Sequence, residues 1–290
     1  MPTGYGSFAA FSATISAAAA CMRTADDVMR VLDEIVEDAG AAGAVWLEMS
    51  MWPGLFAGRL GSHADVVRTV LDGLHVAGSA RGVGVGLVLA ANRDHGPTQA
   101  LEVARLAGDF AADGVVGFGL DGDESQHPPA LFAEAGAAAR AAGLAVVPHA
   151  GELLGPDSVA DAVDVLGARR VMHGVRCIED PHLIARLVDS GTVLDVCPTS
   201  NVMLSVVPSL ADHPLRALLA AGIRCTINAD DPLLFGTDLL TEYQLCRKQM
   251  GLTDRQLAGV ARTSIEASVA PASLVATTVA RIDTWLNTAP

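Results

Sequence analysis

The feature that most constrains this chain is an alternation: short apolar runs of strand type take turns with longer stretches of helical period. The runs lie at residues 44–48, 83–91, 115–120, 144–148, 170–172, 193–196 and 223–227. Between them, residues 63–80, 98–112, 128–142, 157–166, 181–190 and 213–221 carry apolar side chains at helical spacing. Four of these stretches stop at Gly143, Gly167, Gly191 or Gly222, as helix C-termini commonly do. An amphipathic helix opens the series: Thr24 is its N-cap, Asp27 follows three residues later, and Val28, Val31, Leu32, Ile35 and Val36 recur until Gly40. Residues 239–251, 253–269 and 270–285 add three helical stretches at the C-terminal end.

Strands apolar on both faces, alternating with helices, form a parallel sheet covered on both sides. Seven such units, with polar titratable residues collected at the strand ends, predict an α/β fold of the (β/α)8 TIM-barrel type rather than a doubly wound sheet. The 290 residues suit one barrel, which usually takes about 250. No Pro/Gly/Ser linker, charge block or low-complexity tract divides the sequence, so residues 1–290 read as a single domain.

The net charge of −14 speaks against a nucleic-acid partner, because binding to a phosphate backbone rests on clustered Lys and Arg. A small-molecule substrate is expected instead. Although 51% of residues are hydrophobic, no run approaches the roughly 20 apolar residues of a membrane span. The five cysteines are scattered, odd in number and free of any CxxC pair, which fits a reducing cytoplasm. Residues 8–22 are uncharged and Ala-rich like a secretory signal, but no Lys or Arg precedes them; the expectation is a buried helix.

The chemistry gathers where the runs end. His149-Ala150-Gly151-Glu152 follows the run 144–148, His173-Gly174 follows 170–172, and Asn228-Ala229-Asp230-Asp231-Pro232 follows 223–227. If those ends share one rim, imidazoles and carboxylates converge on one mouth. Such a set suits metal-assisted hydrolysis, in which a divalent ion lowers the pKa of water to about 7 and a carboxylic acid supplies a proton. Zinc accepts imidazole and carboxylate ligands. Taken alone, Asp230-Asp231-Pro232 also reads as a helix N-cap and turn.

With Cys197-Pro198-Thr199-Ser200-Asn201, Tyr243-Gln244 and Met250-Gly251 in the same order, these motifs resemble the adenosine deaminase family of the amidohydrolase superfamily. The resemblance implies a (β/α)8 barrel that removes the amino group of a 6-aminopurine nucleoside or related aminopurine at a single zinc ion. Carried over residue by residue, it makes His149 and Asp230 zinc ligands and Glu152 the proton donor to the ring nitrogen. His173 holds and polarises the attacking water. Asp231 hydrogen-bonds the five-membered ring of the purine, and Gly122, in Gly119-Leu120-Asp121-Gly122-Asp123-Glu124, offers its backbone N–H to the six-membered ring.

The family also draws two zinc ligands from a His-x-His at the end of its first strand, and no two of the eight histidines here are separated by a single residue. The sequence reads as beginning just after that strand, which leaves a barrel one strand short and two of the usual zinc ligands absent. Ser50 and Gly119 stand where the family usually has an Arg and an acidic residue, both on the substrate side. Three readings follow: a zinc-dependent aminohydrolase, a metal-poor relative performing acid-base chemistry on another heterocycle, and a non-catalytic protein that binds a nucleoside.

Overall fold

The structure, a computed structural model, describes residues 4–288. Seven strands make up its sheet: β1 (Trp46–Met51), β2 (Gly84–Asn92), β3 (Val115–Asp121), β4 (Ala145–Ala150), β5 (Arg170–His173), β6 (Val193–Val196) and β7 (Arg224–Ile227). They lie side by side in chain order and every neighbouring pair is parallel. This is the ordering of a TIM-type barrel with seven strands instead of eight. Among the described residues β7 does not pair with β1.

Each strand matches an apolar run to within three residues at either end. The useful departures lie at the C-terminal ends: β4 runs on through His149 and Ala150, and β5 through His173. Their register sets His149 opposite Met172 and Ala150 opposite His173. Buried Leu87, Leu89, Phe118, Leu120, Val171, Leu194, Val196 and Ile227 supply the apolar contacts between the sheet and its helices.

Local chemistry sets the helix boundaries. Thr24 caps the helix Ala25–Ala41 in a reciprocal box with Asp27, and Ser62 does the same with Asp65 for His63–Arg81. The stretch 128–142 begins as a 3-10 turn, Pro129–Phe132, and becomes α-helical only at Ala133–Ala141. Residues 8–22 do form a helix, Phe8–Cys21, but the expectation that it is buried is wrong: only Phe11 and Ala19 are. Phe11 stacks on Phe235 with centroids 4.9 Å apart, and Tyr5 donates to the Leu234 carbonyl at 2.8 Å. The helix is therefore an outer cover over the segment after β7, because its polyalanine surface has little apolar area to bury. Among the described residues, no helix is long and apolar enough to cross a membrane.

Two features mark the side where β1 and β7 remain unpaired. A cavity of about 830 Å³ is lined by Val45 and Trp46 at the start of β1, by Ile227 and Asn228 at the end of β7, and by the C-terminal helices. Across the interior, Arg170 of β5 contacts Glu48 of β1 and makes two bonds, 3.0 and 2.9 Å, to Asp195 Oδ2 of β6. The other oxygen of Asp195 accepts from Thr226 Oγ1 at 2.8 Å, and Asn228 Nδ2 donates to Thr226 at 2.7 Å. Glu48 in turn accepts from the Trp46 indole and the Val269 amide. All these groups find partners, as low-dielectric burial demands.

Candidate active site

The polar residues collect at the C-terminal ends of β3, β4, β5 and β7. The rings of His149 and His173 lie 5.1 Å apart, centroid to centroid. His149 Nδ1 sits 3.2 Å from the Leu120 carbonyl and 3.1 Å from Asp121 Oδ1. These acceptors favour a proton on Nδ1 and leave Nε2 for the mouth. Burial opposes a charge on this ring, but Asp121, helped by Glu152 and Asp230, overcomes it and raises the pKa to about 9.

Glu152 follows the strand in a tight turn and is 5% exposed. Its Oε1 has no hydrogen-bond partner and lies 3.6 Å from His173 Nδ1. Burial pushes its carboxyl upward; His173 opposes that shift and the Asp230 charge adds to it. The turn needs Gly151 at φ +69°, and a Cβ there would strike Val159.

His173 and Asp230 are two of only three non-glycine residues among those described with positive φ, at 61° and 59°. Left-handed backbone at such residues costs of order 1–3 kcal/mol and concentrates at functional sites. It aims both side chains into the mouth, with His173 Nε2 3.9 Å from Asp230 Oδ2. Asp231 occupies the N-cap position of the short helix Pro232–Phe235, but its carboxylate caps no backbone amide there. The turn reading of Asp230-Asp231-Pro232 is thus right for the backbone, while the Asp231 side chain does not serve as the cap. Burial, with the charges of Asp230 and Asp121, pushes the Asp231 carboxyl up to about 8. Gly122 directly follows β3 at φ +97°, on the rim beside Asp121.

One donor atom each from His149, His173 and Asp230 lies within 4.8 Å of the others. Two imidazoles and a carboxylate at that spacing fit a zinc-type divalent ion. The sequence motifs pointed to His149 and Asp230 for this task and assigned His173 to water; the folded chain brings all three together.

Other contributors went unnoticed in the sequence. Arg93, fully buried after β2, donates to the carbonyls of His149 at 2.6 Å and His127 at 2.8 Å. Glu124 is 2% exposed and accepts from the amides of Gly151, Glu152, Leu153 and Leu154 and from Ser158 Oγ. It acts as a carboxylate clasp on the turn that carries Glu152. Their signal was present: each is a titratable residue just past a strand end, the same criterion that singled out His149 and Asp230.

The adenosine deaminase family model matches residues 2–285. The chain belongs to the adenosine deaminase family. A Streptomyces virginiae protein, provisionally named an adenosine/adenine deaminase, is 42% identical over 277 residues, covering 96% of this chain and 82% of its own length. An adenine deaminase of Agrobacterium fabrum is 37% identical over 263 residues, 90% of this chain and 81% of the relative. Among solved structures, adenine deaminase from Arthrobacter aurescens superposes with a TM-score of 0.92 at 31% identity, covering 98% of this chain and 87% of that one. An amidohydrolase of Burkholderia ambifaria with bound zinc reaches a TM-score of 0.85 at 29% identity over 92% and 76% of the two chains. As a member of the adenosine deaminase family, the chain is an aminohydrolase on an incomplete TIM-type barrel.

Proposed function

We propose that this chain, acting as one unit over residues 1–290, hydrolytically removes the 6-amino group of an aminopurine, with the base adenine as the first substrate to test. The observation that carries this reading is Glu152: a buried carboxyl with an unpartnered oxygen, its pKa pushed up by burial, beside His173 and Asp230. Addition of water to the ring carbon raises electron density on the adjacent ring nitrogen, and a protonated carboxyl is what that nitrogen requires. A non-catalytic binding protein has no use for such an acid.

His149 and Asp230 would hold zinc, which when bound supplies the Lewis acidity that makes water nucleophilic near neutral pH. The chain's own residues do the rest. Glu152 carries the proton to the ring nitrogen, while His173 holds and orients the attacking water. Asp231, kept largely neutral near pH 7 by its raised pKa, donates a hydrogen bond to an acceptor nitrogen of the five-membered ring. Gly122 offers its N–H to the six-membered ring, at a position where a Cβ would meet Asn92 Oδ1 at 2.5 Å. Relatives named adenine deaminase support the base over the nucleoside. So does Ser50 in place of the family's usual Arg on the substrate side.

The test is an ultraviolet screen of adenine, adenosine and N6-substituted purines, run alongside zinc quantification. Turnover of adenine in proportion to bound zinc supports the proposal. Zinc-loaded protein that turns over none of them removes it, and a metal-free protein with full turnover favours the metal-poor acid-base reading.

A further inference from the structure

The turn after β4 bends four successive N–H groups toward one point. The amides of Gly151, Glu152, Leu153 and Leu154 all donate to the Glu124 carboxylate, the last three at 3.1, 2.8 and 3.2 Å to Oε2. A fifth donor, Ser158 Oγ, reaches Oε1 from the helix Pro156–Asp164 that follows the turn. Glu124, Glu152 and Ser158 are 2%, 5% and 3% exposed, so water is poorly placed to replace any of these partners. Consecutive amides that converge in this way form an anion-binding concavity, or nest. Here the anion is a side chain of the protein itself.

Such a turn does not hold its shape unaided. Its N–H dipoles converge, and each buried donor left without an acceptor costs about 1–3 kcal/mol. All five partners of Glu124 are donors, so the position calls for a group that accepts at both oxygens, as a carboxylate does. The carbonyl end of the same segment is held from the other side. All four guanidinium bonds of Arg93 go to backbone carbonyls, the shortest, 2.6 Å, to that of His149. A buried basic group and a buried acidic one thus grip the two ends of residues 149–154.

Glu152 sits within this grip. Its own amide is one of the four, whereas its Oε1 has no hydrogen-bond partner. No bond to that oxygen fixes its direction, so the aim of the side chain depends on where the backbone places it. We propose that Glu124 is a positioning residue for Glu152: by filling the nest, it fixes the backbone from which the proton donor is aimed at the substrate. A displacement of about 1 Å at such a group can cost about 10²-fold in rate. The positioning role rests on the deamination proposed above; the nest does not.

The experiment uses the full, zinc-loaded chain. Glu124→Gln leaves one acceptor oxygen and turns an NH2 group against donors, so kcat for the best aminopurine should fall on the order of 10²-fold with KM changed by less than about threefold. Glu124→Asp keeps the charge on a side chain one carbon shorter and should lie between, with a loss of about 10-fold. The deciding measurement repeats Glu124→Gln in a Glu152→Gln background. With no proton donor left to aim, the residual kcat should change by less than about twofold. An equal fall in both backgrounds means general damage to the mouth and overturns the proposal, as does full kcat in either single variant. Hydrogen exchange at the amides of residues 151–154, followed by NMR in the parent, decides even if a variant fails to fold: amides that exchange as fast as those of an open loop overturn the nest itself. Protected amides that quicken in Glu124→Gln, in a chain that deaminates no purine, would remove the proposed function and leave the nest standing.

Discussion

The two sides of the sheet are built differently. From β3 to β7 the strands form an unbroken parallel ladder, and nearly every group assigned to chemistry stands on the upper ends of that half. On the other side, among the described residues, β1 and β7 both present unpaired edges beside a cavity of about 830 Å³. Through the interior, Arg170 and its carboxylates link β1 to β5 and β6, and Thr226 of β7 donates to Asp195. The difference shows that this catalytic constellation needs accurate strand register only locally. The laddered half fixes His149 against Met172 and Ala150 against His173, and distant strands can be joined by side chains.

The sharpest test of the laddered half is Glu152→Gln. The amide keeps the shape of the side chain and cannot supply the proton, so kcat for the best aminopurine should fall by about 10²–10⁴-fold while thermal stability stays near that of the parent. A variant that retains turnover would move the proton donor elsewhere and weaken the contrast between the halves.

Arg170→Ala tests how the open side is held. Removing the guanidinium leaves Glu48 and Asp195, whose side chains are 7% and 8% exposed, without their cation. Breaking a buried pair from one side costs about 3–5 kcal/mol, measurable by urea unfolding. Arg170→Met combined with Glu48→Gln and Asp195→Asn should recover much of that loss. If the single substitution costs under about 1 kcal/mol, the interior bridge is not what ties β1 to β5 and β6 across the interior.

The sequence revealed the strands, and its motifs named residues at or just past the ends of all four strands of the mouth, because these are local signals. Apolar runs, capping residues and terminal glycines need only their neighbours, and the helix Pro181–Ser190 appears with the ends its sequence announces. Burial of the Phe8–Cys21 helix was misjudged because composition does not reveal what a helix packs on. The supports of the site were missed for a related reason. Glu124 reaches amides 27–30 residues away, and Arg93 reaches the His149 carbonyl 56 residues away. Asn201 is visible as part of a motif, but its bonds to His173 and His213 exist only once β5 and the short helix Pro198–Met203 after β6 are neighbours.

His213 provides a pH test of the laddered side. Burial lowers its folded-state pKa to about 4, against an unfolded value of about 6.5. Between those values the unfolded chain binds a proton that the folded chain does not, so this group's stabilisation is complete above about pH 6.5 and is lost as pH falls toward 4. The full difference is about 3 kcal/mol. Unfolding free energies of the parent and of His213→Gln, measured from pH 7 to pH 4, should draw together by that amount toward low pH. Parallel curves would mean the ring is solvated.

The smallest effects compare one helix cap from each side. Ser62 accepts from the Asp65 amide at the start of the helix that follows β1, and Asp180 accepts from the His182 amide at the start of the helix that follows β5. Replacing either with Ala should cost about 1 kcal/mol in global stability, since the lost bonds are of one kind. The local consequences should differ. Among the described residues β1 has one strand neighbour and β6 has two, so Ser62→Ala should speed amide exchange in Trp46–Met51 more than Asp180→Ala speeds it in Val193–Val196. A strand bonded on one side opens without disturbing a second ladder, whereas β6 can open only by breaking with both neighbours. Equal acceleration in the two segments would mean that the C-terminal helices flanking the cavity protect the β1 edge as well as a strand does.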